Sequence, residues 1–166
     1  MLDTIGFYGP IILLITNIYY LFYKKTYLYV YLLFFVINSC INHILKAIIR
    51  EPRPNDQRFM LFENKEDVYG MPSGHAQSIF YSTTFLYLST ASYYLLIISL
   101  FVCALTIYQR YHFRRHTLKQ LFIGSLVGIG LGSFIYQIAK YYISTKTKYD
   151  DIINVDIDDE LHATQI

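Results

Sequence analysis

The chain has 166 residues, room for one domain, and 54% are apolar and 18% aromatic against only 16% charged, where soluble domains carry about 25% charge. The formal net charge of +2 is too small to suggest a nucleic-acid partner. Cys40 and Cys103, both inside apolar runs, read as small buried hydrophobes and form neither a disulfide framework nor a metal-ligand pattern.

A helix that crosses a bilayer takes about 20 mostly apolar residues, and five stretches reach or approach that length. The first runs from Phe7 to Tyr23 and stops at Lys24-Lys25; it lacks the basic lead and small-residue site of a cleavable signal peptide. The second, Tyr27 to Ile49, is followed by a polar stretch from Arg50 to Met71 that holds Pro52 and Pro54. The third starts near Ser73 and fades near Ala91, the short fourth covers Tyr93 to Tyr108, and the fifth covers Leu118 to Ile143. Gly124, Gly128 and Gly132 put a groove on one face of the fifth, fit for close helix packing. The spacing predicts an all-α, polytopic membrane helix bundle of about five to six spans, forming one domain over 1–143. Residues 144–166 are polar and acidic, with Asp150, Asp151, Asp156, Asp158, Asp159 and Glu160, and read as a solvated, disordered tail. The 18 Tyr and 12 Phe, without Trp, suit a membrane interface, since the Tyr ring is apolar and its hydroxyl wet.

Folded up and down, these spans bring three polar segments to one side of the membrane. In the first, Asn38, Asn42 and Lys46 share a helix face, and Arg53 stands between two prolines that restrict its backbone. A polar stripe in a span belongs in the bundle interior or a watery cavity, and Lys with Arg suits an oxyanion, although snorkelling cations would give the same pattern. In the second, Pro72-Ser73-Gly74-His75 opens a helix: Ser73 is the N-cap, and the free N–H groups there, with no side chain on Gly74, favour an anion. In the third, Arg110 supplies another cation, and His116 and Gln120 are one turn apart. The Gln120 amide oxygen can accept from one ring nitrogen of His116 and leave the other free to attack. Arg114, Arg115 and Lys119 read as a basic belt, and His43, His112 and His162 suggest no role.

Together these segments resemble the type 2 phosphatidic acid phosphatase superfamily, whose pattern is Lys-x6-Arg-Pro, Pro-Ser-Gly-His and Ser-Arg-x5-His-x3-Asp. Lys46 to Pro54, Pro72 to His75 and Arg110 to His116 carry it, and the likeness extends from Asn42 to Gly132. Gln109 replaces the Ser and Gln120 the Asp; His116-Thr117-x-x-Gln120, Glu51-Pro52-Arg53-Pro54 and Tyr69-Gly70-Met71-Pro72-Ser73 look like the dolichyl-diphosphatase branch. The resemblance implies a metal-free, cofactor-free hydrolase working through a phosphohistidine. His116 would be the nucleophile, His75 the general acid and base, and Gln120 the group that orients His116. Lys46, Arg53, Ser73, Gly74 and Arg110 would hold the phosphoryl oxygens. It further implies a polyisoprenyl diphosphate substrate, recycling of the carrier lipid for N-glycosylation, and an endoplasmic reticulum membrane with the site facing the lumen. Lys and Arg divide almost evenly between the two sides once Lys46, Arg53 and Arg110 are set aside, so charge does not orient the chain. A broader phosphatase acting on phosphatidate-type monoesters and a catalytically silent membrane scaffold are the alternatives.

Overall fold

A computed structural model describes residues 2–55 and 68–163, with the side chains of the last helix described through Tyr149. Among these residues the chain is helical throughout: α1 (Leu2–Phe7), α2 (Gly9–Leu21), α3 (Lys25–Ile49), α4 (Gly74–Thr90), α5 (Tyr93–His112) and α6 (Leu118–Ala163), with one isolated antiparallel bridge between Pro52 and Tyr69. Three helices, α3, α5 and α6 up to Tyr149, are long and apolar enough to cross a membrane; α2 is apolar but shorter.

The remaining expected span, α4, has 17 residues and carries Gln77, Ser78, Ser82, Thr83 and Thr84. It packs against α2, α3, α5 and α6 at once. Its polar side chains are therefore answered by protein and not by lipid: the Tyr31 hydroxyl lies 2.8 Å from Ser82 Oγ, and Asn17 Nδ2 donates to the Ser82 carbonyl at 3.3 Å. Tyr31 and Tyr81 stack at 5.5 Å beside Phe85 and fill the core away from the polar segments.

The first expected span is divided at Tyr8. Pro10 has no N–H to offer the Gly6 carbonyl, which weakens the helix there. Gly6 and Gly9 also lie hard against α5: a Cβ on Gly6 would sit 2.5 Å from the Leu105 carbonyl oxygen, and one on Gly9 would collide with Thr106 Oγ1. Beyond Ser144, α6 runs on to Ala163. No Gly or Pro follows Gly132 before that point, so nothing in the sequence stops the helix. Cys103 is buried as expected, whereas Cys40 is exposed on α3.

The closest helix pair is α4 with α6. A Cβ on Gly124 would sit 2.6 Å from the Ser73 carbonyl oxygen, one on Gly128 would collide with the Gln77 carbonyl oxygen, and one on Gly132 would sit 2.9 Å from that of Tyr81. Ser73, Gln77 and Tyr81 are also spaced by four, so a row of main-chain carbonyls lies on the row of glycines. Such contact suits Cα–H···O attraction and leaves no room for side chains.

Candidate active site

The three polar segments meet at one end of the bundle. α3 closes at Arg50, in the left-handed region at φ 52, whose N–H donates to the Lys46 carbonyl at 3.0 Å. Arg53 N–H donates to Val68 O at 3.3 Å and Gly70 N–H to Glu51 O at 2.8 Å, which pins the two ends of the connection together. Residues 56–67 of that connection lie outside the described residues. α4 opens at Ser73, whose hydroxyl accepts from Ala76 N–H at 3.5 Å while its own N–H donates to Gln120 O at 3.1 Å. Asn42 Nδ2 donates to Pro72 O at 3.2 Å and to Gln77 Oε1 at 2.8 Å, so the buried asparagines of α3 hold the start of α4. A Cβ on Gly74 would come within 3.0 Å of Asn42 Oδ1, which keeps this position bare.

A cleft of about 580 Å³ opens here, and Lys46, Arg53, Gly74, His75 and His116 all line it. Its other wall is apolar, formed by Phe7, Tyr8, Pro10 and Ile11, with the Phe7 ring 5.8 Å from that of His75. Cations and imidazoles thus face a greasy lip. A second cavity of about 780 Å³, bordered by Tyr108, His112 and Lys119, reaches the same His116.

His116 is buried and fixed on both ring nitrogens. Its Nδ1 lies 3.2 Å from Gln120 Oε1, and its Nε2 lies 3.1 Å from Arg53 Nη1. The amide orientation of Gln120 follows from its neighbours: Nε2 donates to Glu51 Oε1 at 3.2 Å and to Pro52 O at 2.9 Å, both acceptors only. Oε1 must therefore face His116, so Nδ1 carries the proton and the Nε2 lone pair points towards Arg53 and the cleft. Thr117 and Gln120 also form a reciprocal capping box at the start of α6: Gln120 N–H donates to Thr117 Oγ1 at 3.2 Å and Thr117 N–H to Gln120 Oε1 at 3.3 Å.

Behind Gln120 stands a carboxylate. Glu51 Oε2 accepts from Lys119 Nζ at 2.8 Å, and this bond holds the Glu51 carboxyl below the usual carboxylate range. The amide of Gln120 thus bridges an ionised Glu51 to the imidazole of His116, and the negative charge that the Gln lacks is supplied one residue further back.

Five of the eight sequence-derived residues line the cleft; Ser73, Arg110 and Gln120 do not. Gln120 supports His116, Ser73 is fully buried in its cap, and Arg110 is fully buried at the end of α5, its carbonyl accepting from Arg115 N–H at 2.9 Å. Two residues were passed over. Glu51 was noted only as part of a motif, and its role needs the fold to bring it to Gln120. His43 lines the cleft, and its spacing from Ser39 and Lys46, four before and three after, was a readable signal.

The family model of the PAP2 superfamily matches residues 27–144. The chain is 38% identical over 115 residues to "Dolichyldiphosphatase 1" of Dictyostelium discoideum, covering 63% of this chain and 48% of that protein. It is 32% identical over 130 residues to "Palmitoyl-protein thioesterase-dolichyl pyrophosphate phosphatase fusion 1" of Schizosaccharomyces pombe, covering 69% of this chain and 19% of that one. The chain thus spans less than half the length of either curated relative. A solved transmembrane PAP2-type phosphatidylglycerolphosphate phosphatase from Bacillus subtilis has the same fold, with a TM-score of 0.61 at 20% identity over 87% of this chain and 75% of that one. The apolar helices fit this company, and the protein is integral to a membrane. On the family match, which takes in every motif around the cleft, the chain belongs to the PAP2 superfamily.

Proposed function

We propose that the chain hydrolyses a polyisoprenyl diphosphate of the dolichyl type to the monophosphate and inorganic phosphate, through a phosphohistidine on His116. The observation that carries this reading is the fixed tautomer of His116, with Nδ1–H on Gln120 Oε1 and the Nε2 lone pair towards the cleft. A phosphate anion competes for the Arg53 guanidinium, which turns from Nε2 to the phosphoryl oxygens and leaves the nitrogen free to attack. As the N–P bond forms, the bond from the terminal phosphorus to the bridging oxygen breaks, and His75 passes a proton to the leaving lipid phosphate. Water then attacks that phosphorus, gives its proton to His75, and the N–P bond breaks to release phosphate. Lys46, Arg53 and the Gly74 N–H, which line the cleft, hold the oxygens throughout. The apolar lip of Phe7, Tyr8, Pro10 and Ile11 takes the start of the lipid chain.

The names of the curated relatives favour a dolichyl substrate, and with it the endoplasmic reticulum membrane, a lumenal site and a role in recycling the carrier for N-glycosylation. Protection of the C-terminal tail from added protease in sealed microsomes would count against the lumenal site. The decisive assay is phosphate release by detergent-solubilised protein in chelator, beside His116→Ala, with trapping of acid-labile label on the protein. Release by wild type alone, with label lost in the variant, is the expected result. Preference for phosphatidate over polyisoprenyl diphosphate replaces this substrate with the monoester, and label on any other residue overturns the mechanism.

A further inference from the structure

α3 ends at the site and α4 begins there, so residues before Lys46 on the one and after His75 on the other lie deeper in the bundle. Ser39, His43 and Ser78 all line the same cleft at that deeper level. At 1.5 Å per residue, His43 stands about 4.5 Å below Lys46 and Ser78 about 4.5 Å below His75, with Ser39 about 6 Å below His43. That step is roughly one phosphate group. Polar side chains at such a depth are costly unless they face a partner or a polar ligand. Ser78 Oγ accepts from Asn38 Nδ2 at 3.3 Å, so the buried asparagine fixes this hydroxyl at the wall.

A lipid diphosphate enters such a cleft with its terminal phosphate at the surface, its retained phosphate one step deeper and its chain deeper still. The doubly charged terminal phosphate meets Lys46 and Arg53. The retained phosphate carries a single charge and suits milder donors, an imidazole and two hydroxyls. We infer that Ser39, His43 and Ser78 form a subsite for the retained phosphate, and that His43 gives the site its preference for diphosphates over monophosphates. This rests on the lipid-phosphatase reading above. In a monophosphate the same depth is occupied by the first carbons of the lipid, which gain nothing from these donors.

The test compares kcat/KM for a polyisoprenyl diphosphate and for the matching polyisoprenyl monophosphate, using the full chain in detergent. His43→Ala lowers the diphosphate-to-monophosphate ratio about tenfold, mainly through KM for the diphosphate, as loss of one hydrogen bond to a charged group requires. His43→Gln, which keeps a neutral donor, holds an intermediate ratio. A ratio that stays at the wild-type value in His43→Ala, or equal losses on both lipids, overturns the subsite while leaving the phosphatase reading intact. If wild type releases phosphate from neither lipid, the phosphatase reading falls and takes the subsite with it.

Discussion

Exchanging Glu51 and Gln120 tests whether the carboxylate behind His116, the proposed nucleophile, acts through the amide. Gln120→Glu alone replaces a donor 3.2 Å from Glu51 Oε1 with a second carboxylate oxygen. Two like charges at that separation repel by about 5 kcal/mol at an effective dielectric of about 20, and the partial exposure of Glu51, 26% for its side chain, reduces that figure. The pair relieves the repulsion by binding a proton or by parting, and either outcome disturbs His116 Nδ1. Adding Glu51→Gln restores a donor–acceptor pair and places the carboxylate directly on the imidazole. The donor to the Pro52 carbonyl, at 2.9 Å in the native protein, stays lost, at a cost of about 1–3 kcal/mol. Turnover in the phosphate-release assay is thus expected to fall about a hundredfold in Gln120→Glu and to recover at least tenfold in the exchange, a coupling of about 1.4 kcal/mol or more. Additive losses, with the double variant as poor as the product of the singles, would refute the relay.

Removing the Gln120 side chain strips its bonds to His116, Thr117, Glu51 and Pro52. Gln120→Ala is expected to lose about a hundredfold in kcat, whereas His116→Ala falls to background; equal loss in both, at normal protein levels, contradicts their separate roles. Lys119→Ala takes away the main cause of the low Glu51 pKa, so the carboxyl protonates at higher pH. The contribution of Glu51 is present above the ordinary carboxylate range and lost as pH falls through its folded value, so the acid limb of activity moves up in the variant. Because Lys119 is largely exposed, the shift should shrink in high salt, and an unmoved limb would deny the ion pair a role. Gly128→Ala drives a methyl into the Gln77 carbonyl and should lower Tm and activity together, while Gly130→Ala meets nothing within 4 Å and should be neutral or slightly stabilising; similar melting of the two would disprove the ladder.

Much of this site was legible because it is local. Lys46 and Asn42, which both line the cleft, Ser73 as cap, and His116 with Gln120 lie within a turn or at a helix start, where spacing alone gives adjacency. The start of α5 at Tyr93 and the end of α3 at Ile49 fall where the sequence places them, while α5 runs on from the expected Tyr108 to His112. What escaped was either long-range or a matter of burial. Glu51 reaches Gln120 across 69 positions, and no periodicity joins them. Arg115 reads as part of a basic belt but is wholly buried, its N–H donating to the Arg110 carbonyl at 2.9 Å. The charge of the tail argues against a core there without arguing against a helix, and α6 runs through it.

The contact of glycines with carbonyls between α4 and α6 bears on how this protein meets its membrane. His75 and His116 belong to, or adjoin, these two helices, whose separation is set by main-chain atoms on both sides. A thicker or thinner bilayer is accommodated by tilt or snorkelling of the lipid-facing helices, and that adjustment passes around a pair held backbone to backbone along its glycine row. On the mechanism proposed above, the distance over which a phosphoryl group passes from lipid to imidazole to water would thereby be insulated from the lipid composition of the host compartment.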